Sequence, residues 1–182
     1  MKRLTLLFSS VAASLLLFTS CEEAGIQLAA DYTIDIPEVV IAQEAAPTTA
    51  SFQEIVNGVN LDSVLEANGI DNSQIQSVKI LNVRCTVLNT AEVNFDPLKS
   101  LTLHLQIPGV TDPAPVQIVN VPNVDMNLTE LNLGQGSVTT QDLLPYFDYT
   151  TFDIDGSVET DEPMPADLRM QMSIKLEVVA KP

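Results

Sequence analysis

The sequence predicts an all-β fold, an antiparallel β-sandwich of about seven strands with one or two short helical turns, and a β-barrel is the alternative. Apolar and polar residues alternate with a period of two in several stretches, most clearly over residues 168–178, as in strands with one buried face. Turns rich in proline, glycine and asparagine separate these stretches by about ten residues. Apolar residues at helical spacing occur only in short segments.

The first elements of the domain are the least regular. A strand is predicted over residues 32–36, and Pro37 is expected to end its regular pairing, because proline cannot donate a ladder hydrogen bond. Residues 52–59 fit either a helical turn or a strand, since their periodicity is too short to decide. A helix of two turns at most is predicted between Asn60, as its cap, and Gly69, as its stop.

Two long strands follow, and their alternation separates a buried face from a solvent face. In the first strand the residues expected inside are Leu81, Val83, Cys85 and Val87. In the second strand the residues expected inside are Leu101, Leu103, Leu105 and Ile107, and those expected outside are Thr102, His104 and Gln106. Because the two strands are consecutive, we expect them to be neighbours in a hairpin with a long loop.

The last part of the chain contains four further strand candidates and one turn. Shorter strands are predicted over residues 116–121 and 126–133, and a capped helical turn over residues 140–144, broken at Pro145. Alternation resumes over residues 152–159, and the clearest strand of all closes the domain over residues 168–178.

The N-terminal segment has the features of a signal peptide. Lys2 and Arg3 precede an uncharged run from Leu4 to Phe18, and two small residues then lead to Cys21. This arrangement predicts a signal peptide over residues 1–20. A permanent transmembrane helix is the weaker interpretation, because a span needs about 20 apolar residues and two glutamates follow the cysteine.

The end of this segment resembles the lipobox of bacterial lipoproteins, in which a cysteine is diacylated and the peptide is cut just before it. The resemblance implies that Cys21 becomes the mature N-terminus with a diacylglycerol and an N-acyl chain such as palmitate. Phe18 departs from the usual Leu, Ala or Val at that place, and a secretory signal with an incidental cysteine is the alternative. Glu22 and Glu23 resemble the acidic export signal of Bacteroidota lipoproteins, which implies an outer-membrane location facing the exterior, and the periplasmic leaflet of the outer membrane is the alternative.

The predicted mature protein is one strongly acidic domain. Residues 21–30 are expected to form an acylated tether, and residues 31–182 a single β-sandwich domain. Removal of residues 1–20 leaves six basic residues against 24 acidic ones, a formal charge of −18. Such a surface repels phosphate backbones and anionic headgroups, which excludes nucleic acid as a partner and leaves membrane attachment to the lipid. Cys85 is expected to be a buried free thiol.

The sequence contains no recognisable catalytic set, and we predict that the protein is not an enzyme. The single histidine, His104, is expected on a solvent face. Cys85 falls among the buried positions of its alternating strand, where a thiol is typically unreactive. Asp153, Asp155 and Glu159 are the weak candidates for a Ca²⁺ site, the alternative being plain solubilising charge on a wet strand face. No other metal and no cofactor are predicted.

The expected function follows from the predicted location at the outer membrane and from the predicted fold. We expect a lipid-anchored, non-catalytic envelope β-sandwich that acts as a structural or protein-interaction module, with an unidentified envelope or extracellular protein as partner. The alternative is a carrier of an apolar small molecule or lipid held between the sheets. The methionines Met164, Met170 and Met172 would line such a groove, although core packing explains them better.

Overall fold

The computed structural model describes residues 28–43, 48–57, 59, 65–66, 71–124 and 128–181. Its eight strands are β1 (Leu28–Ile41), β2 (Thr48–Asn57), β3 (Ile75–Val87), β4 (Leu98–Gln106), β5 (Val116–Val121), β6 (Glu130–Leu133), β7 (Thr151–Thr160) and β8 (Leu168–Ala180). Two 3-10 turns are formed by Asn72–Gln74 and Leu144–Tyr146. None of the helices in those ranges is long and apolar enough to span a bilayer.

The strands form two antiparallel sheets of four, in the orders β1-β8-β3-β6 and β2-β7-β4-β5. This arrangement confirms the predicted β-sandwich, and the closed alternative is wrong because each sheet ends in two edge strands. The number of described strands is eight rather than about seven, since the undecided segment at residues 52–59 contributes a strand of its own.

The core lies between the sheets and is built from alternate residues of the strands. Along β8, every apolar residue of the predicted inner face is buried. Met164, Met170 and Met172 are at most 1% exposed, so the core-packing interpretation of the methionines is confirmed. Cys85 is a fully buried free thiol, as expected.

The regular pairing of the first strand is interrupted at Pro37, as predicted, but the strand is longer than the predicted residues 32–36. Strand β1 continues to Ile41, and its pairing with β8 shifts register between Ile36 and Val39. A bulge lets a strand pass a residue that cannot donate a ladder hydrogen bond, and pairing resumes beyond it. The strand also begins at Leu28, three residues before the predicted start of the domain.

The predicted position of Leu81 on the buried face is also wrong, because its side chain is 37% exposed. The register of β3 against β8 shifts between Ile80 and Asn82, so one extra residue is inserted there. The insertion exchanges the two faces of the strand. Val78 and Ile80 therefore point inward before the bulge, and the residues that point inward after it are Val83, Cys85 and Val87.

The predicted hairpin between the two long central strands does not form. Strand β3 pairs with β8 and β6, whereas β4 belongs to the other sheet and pairs with β7 and β5. The connection at residues 88–97 crosses from one sheet to the other and buries Val93 and Phe95. Alternation fixes which face of a strand is buried, but it does not identify the neighbouring strand.

The undecided segment at residues 52–59 is resolved as a strand up to Asn57, within β2. The predicted helix between Asn60 and Gly69 lies largely outside the described residues. Leu65 and Glu66, which are described, are helical, and Leu65 is buried.

The turn predicted at residues 140–144 forms later in the chain and includes Pro145. Proline is accepted there because the N–H groups in the first turn of a helix have no partner within the helix. The Asp142 carboxylate accepts hydrogen bonds from the backbone N–H groups of Leu144, at 3.0 Å, and of Val78 in β3, at 2.8 Å. This single side chain therefore starts the turn and attaches it to the sheet.

Candidate functional site

The outward side chains of the β2-β7-β4-β5 sheet form a surface that we call the polar face. Inward positions of β7 are taken by Phe152, Ile154 and Val158, so the alternate residues point away from the core. The same alternation in β4 directs His104 outward, as predicted. The members of the polar face used below are Ser51, Gln53, Thr102, His104, Gln106, Asp153, Asp155, Ser157 and Glu159.

An open depression of about 390 Å³ lies at the centre of the polar face. The residues that line it are Ser51, Phe52, Gln53, His104, Asp155, Gly156 and Ser157. Gly156 and Phe52 are directly paired across β7 and β2, and the Phe52 ring occupies the space that a side chain at residue 156 would fill. With that ring on the core side, the side chains that project from the depression towards solvent are polar, and the exposed Ile55 lies beside them on β2.

Asp153 is the most buried charged residue among those described, with 7% of its surface exposed. Its Oδ2 atom accepts a hydrogen bond from Gln53 Nε2 at 3.3 Å, and its Oδ1 atom has no partner. The sequence predicts a wet strand face for this aspartate, and its burial differs from that expectation. The alternation is correct, but Asp153 lies between Ile55 of β2 and Gln106 of β4, its direct cross-strand partners, whereas Glu159 on the same face is exposed.

Asp155 and His104 lie directly opposite each other on β7 and β4. The Asp155 carboxylate accepts a hydrogen bond from Gln106 Nε2 at 2.5 Å, which fixes its position. His104 is half-buried, and among the described residues no hydrogen bond joins it to Ser51, Ser157 or Asp155. A catalytic triad requires the nucleophile and the orienting acid both to be hydrogen-bonded to the base, and His104 makes neither contact with these residues.

The three candidate Ca²⁺ ligands do not share one site. Asp153 and Asp155 are each held by a different glutamine, and Glu159 lies 3.6 Å from the Lys99 ammonium. In the part of the chain that the structure describes, no group of three or more His, Cys, Asp or Glu residues is arranged to hold a metal ion. A calcium site needs six to eight oxygen ligands around one point, and these three carboxylates do not converge on one.

The polar face is chemically a fixed array of hydrogen-bond acceptors. The Gln106 amide holds Asp155 from the side, so free lone pairs of this half-buried carboxylate remain available to a ligand, whereas the unpartnered oxygen of Asp153 is buried. His104 adds a group that can donate or accept beside them. The arrangement suits recognition of a surface that offers N–H donors or basic side chains.

The outer face of the other sheet has a different character because its charges are paired with each other. The ion pairs there are Arg84–Glu130 at 2.6 Å, Lys175–Asp31 at 2.7 Å and Arg169–Glu38 at 2.5 Å. Each of these side chains is about half-exposed, so solvent screening leaves each pair with only a small net contribution to stability. Their main effect is to neutralise most of the charge on that face, whereas the described ion pair of the polar face is Lys99–Glu159 and none includes Asp155.

The space between the sheets is too small for a ligand. An apolar cavity of about 10 Å³ lies there, lined by residues that include Ile34, Phe152 and Leu176. Ligand pockets typically have about 300–1,000 Å³, so the described core gives no support to the carrier alternative.

The remaining candidate residues are distant from this surface or outside the described ranges. Cys21, Glu22 and Glu23 lie outside the described residues. Burial raises the pKa of the Cys85 thiol to about 12, so the thiol stays protonated and unreactive at neutral pH.

Sequence reasoning missed the contributions of Ser51 and Gln53 to the polar face, because Gln53 belongs to the segment that fits either a helix or a strand and Ser51 directly precedes it. A signal was present in the alternation of Ser51, Gln53 and Ile55 with Phe52 and Val56. Ser157 has the expected outward parity, but only the pairing of β7 with β2 brings it beside Ser51.

Comparisons with known proteins do not place the chain in a family. No model of a known protein family and no curated protein matches it. A solved chain of desmodium yellow mottle tymovirus is 9% identical, with 92% of this chain and 94% of that chain covered and a TM-score of 0.30. A solved chain of the empty head of turnip yellow mosaic virus is 12% identical, with 96% and 91% covered and a TM-score of 0.29. Similarity at this level carries no argument.

Proposed function

We propose that this protein is a lipid-anchored, non-catalytic module of the bacterial outer membrane that docks an envelope or extracellular protein on its polar face. The observation that carries the proposal is the contrast between the two outer faces. One face neutralises most of its charges in three ion pairs, and the other presents Asp155 and His104 around an open depression.

The anchor is proposed from the N-terminal residues, which resemble a lipobox. Burial of each CH₂ group contributes about 0.8 kcal/mol, so two or three acyl chains on Cys21 would hold the domain durably at a membrane. Glu22 and Glu23 favour the outer surface of the outer membrane as the final location.

The docking role is proposed from the chemistry of the polar face. Its carboxylates are acceptors, and the molecule as a whole is acidic, so the partner should present N–H donors or basic side chains to it. A non-catalytic role is favoured by the absence of hydrogen bonds from His104 to Ser51 or Ser157, and by the buried, protonated Cys85.

Replacement of Cys21 tests the anchor. In the Cys21→Ala variant we expect the protein to leave the membrane fraction, because acylation is blocked. Cys85→Ala is the matched control, since it removes the only other cysteine and should leave partitioning unchanged. If the Cys21→Ala protein stays with the membranes, the anchor proposal is wrong.

Site-specific photo-cross-linking in intact cells tests the docking surface. A photoreactive residue at position 104 on the polar face should give one discrete adduct, to be identified by mass spectrometry. The same residue at position 171, exposed on strand β8 of the ion-paired sheet, is the control and should give none. Identical adducts from both positions, or none from either, would contradict docking on the polar face.

A further inference from the structure

Asp153 is a buried charged residue from which the fold gains little. It is 7% exposed and belongs to none of the ion pairs among the described residues. Its Oδ1 atom has no hydrogen-bond partner, and its Oδ2 atom accepts from the Gln53 amide at 3.3 Å. A buried carboxylate oxygen without a hydrogen bond costs free energy. Stability therefore does not explain why an aspartate occupies this position.

The hydrogen bond between the two side chains fixes which end of the Gln53 amide faces Asp153. A carboxylate only accepts hydrogen bonds, so the amide has to turn its NH₂ group towards Asp153. The carbonyl oxygen of the amide then faces away from Asp153. Because Gln53 also lines the open depression, this orientation gives the depression an acceptor where a free glutamine would offer either end.

The residues that line the depression include one row across the sheet. Gln53 is directly paired with Asp155, and Asp155 is directly paired with His104. The Cβ atoms of directly paired residues are about 4.5–5.5 Å apart. Gln106 Nε2 holds the Asp155 carboxylate at 2.5 Å, and further lone pairs of that carboxylate remain for a ligand. Two acceptors, on Gln53 and Asp155, therefore lie side by side.

This spacing fits a planar group with several donors. A guanidinium presents five N–H donors in a fixed plane and can reach two neighbouring acceptors at once. An ammonium is a compact point charge on a flexible stem, and it gains less from a fixed pair of acceptors. The acceptor pair therefore favours an arginine over a lysine.

We propose that the depression binds the guanidinium group of one arginine of the docked partner, and that Asp153 is the positioning residue that turns the Gln53 oxygen towards it. The guanidinium donates to Asp155 and to Gln53. Asp153 is too buried to touch the ligand and acts through Gln53. This inference rests on the proposed function, because it names the group by which the partner docks on the polar face.

Titration of the purified full-length protein in a nonionic detergent tests the ligand, with Nα-acetyl-arginine amide as the probe. We expect saturable shifts of the backbone amide resonances of Gly156 and Ser157 in NMR spectra, and none for Gln171 on the ion-paired sheet. Nα-acetyl-lysine amide has the same charge without the planar fork, so it should bind about tenfold more weakly. Equal affinity of the two probes, or no saturable shift with arginine, would overturn the proposal.

Asp153→Leu tests the positioning role. The variant keeps a branched side chain but removes the acceptor, so the ligand itself has to order Gln53, which should weaken binding of the arginine probe about fivefold. The Tm should rise, because an apolar group replaces a buried carboxylate with an unsatisfied oxygen. An aspartate with a purely structural role predicts a lower Tm and unchanged binding, and that result would contradict the positioning role.

A double-mutant cycle separates positioning from the loss of a negative charge. Gln53→Met keeps the length of the side chain and removes its oxygen. If Asp153 acts through Gln53, Asp153→Leu should weaken arginine binding by a smaller factor in the Gln53→Met background. The same factor in both backgrounds would mean that the charge acts directly on the ligand, and the positioning role would be wrong. Asp161→Asn removes an exposed acid beyond β7 and is the control, with an expected change of less than twofold.

The arginine site and the docking role can fail separately, because the titration needs no cellular partner. If the probe binds as expected but position 104 gives no adduct in cells, docking is wrong and the arginine site stands. If the adduct forms but the probe does not bind at the depression, docking stands and the arginine site is wrong.

Discussion

Among the described glycines, Gly156 is the one whose size is fixed by a neighbour. A Cβ atom at this position would overlap the Phe52 ring, so the ring or the backbone of β7 would have to move. We expect Gly156→Ala to destabilise the protein by about 1–3 kcal/mol, the usual range for overpacking. Urea denaturation monitored by circular dichroism measures the change.

The control for this prediction is Gly134→Ala. A Cβ at residue 134 would meet no atom within 4 Å, so we expect a change within about 0.5 kcal/mol. Combining Gly156→Ala with Phe52→Leu should recover part of the loss, because the smaller side chain vacates the space. Equal destabilisation by the two glycine substitutions would show that the Phe52 contact is not the cause.

The Cys85 thiol makes stability depend on pH in the alkaline range. Burial raises its pKa from an ordinary value of 9.0 to about 12, so only the unfolded chain ionises it between those values. Stability is therefore unaffected below pH 9 and falls above it by about 1.4 kcal/mol per pH unit. Urea midpoints of the wild type and of Cys85→Ala between pH 8 and pH 10 measure this slope, which should be smaller in the variant. Parallel slopes would contradict a buried, neutral thiol.

At the scale of elements, the Asp142 carboxylate attaches the turn at residues 144–146 to strand β3. Asp142→Ala leaves the buried N–H of Val78 without an acceptor, which should cost about 1–3 kcal/mol. Asp142→Asn retains a side-chain oxygen and should lose less. Gln141→Ala, at the exposed neighbouring residue, is the control and should change stability by no more than about 0.5 kcal/mol. Denaturant midpoints that rank these variants otherwise would contradict the bridging role.

The elements also show what the sequence can predict. The buried face of β8 and the outward position of His104 were predictable, because β8 and residues 101–106 of β4 keep an unbroken period of two. The exposure of Leu81 was not predictable, since a bulge without glycine or proline leaves no trace in the composition. The polar face was only partly predictable. The alternation of the sequence predicts that Asp155 points outward, but its position opposite His104 depends on which strands pair.

At the scale of the whole molecule, excess negative charge opposes folding. The chain carries 24 acidic against 8 basic residues, and the four described ion pairs are about half-exposed. Each such pair contributes about 0–1 kcal/mol, and salt weakens it. Salt also screens the repulsion among the unpaired acids, which are far more numerous. The second effect should dominate, so stability should rise with salt.

We therefore expect the Tm to rise by a few degrees between about 10 mM and about 300 mM NaCl, measured at low protein concentration to limit association. Asp161→Asn with Glu162→Gln removes two exposed acids that form no described ion pair, and it should raise the low-salt Tm and flatten the salt dependence. Glu130→Gln removes an acid that is paired with Arg84, so it should raise the low-salt Tm less or lower it. A Tm that falls with salt would mean that the ion pairs outweigh the repulsion, and then Glu130→Gln should be the most destabilising of these changes.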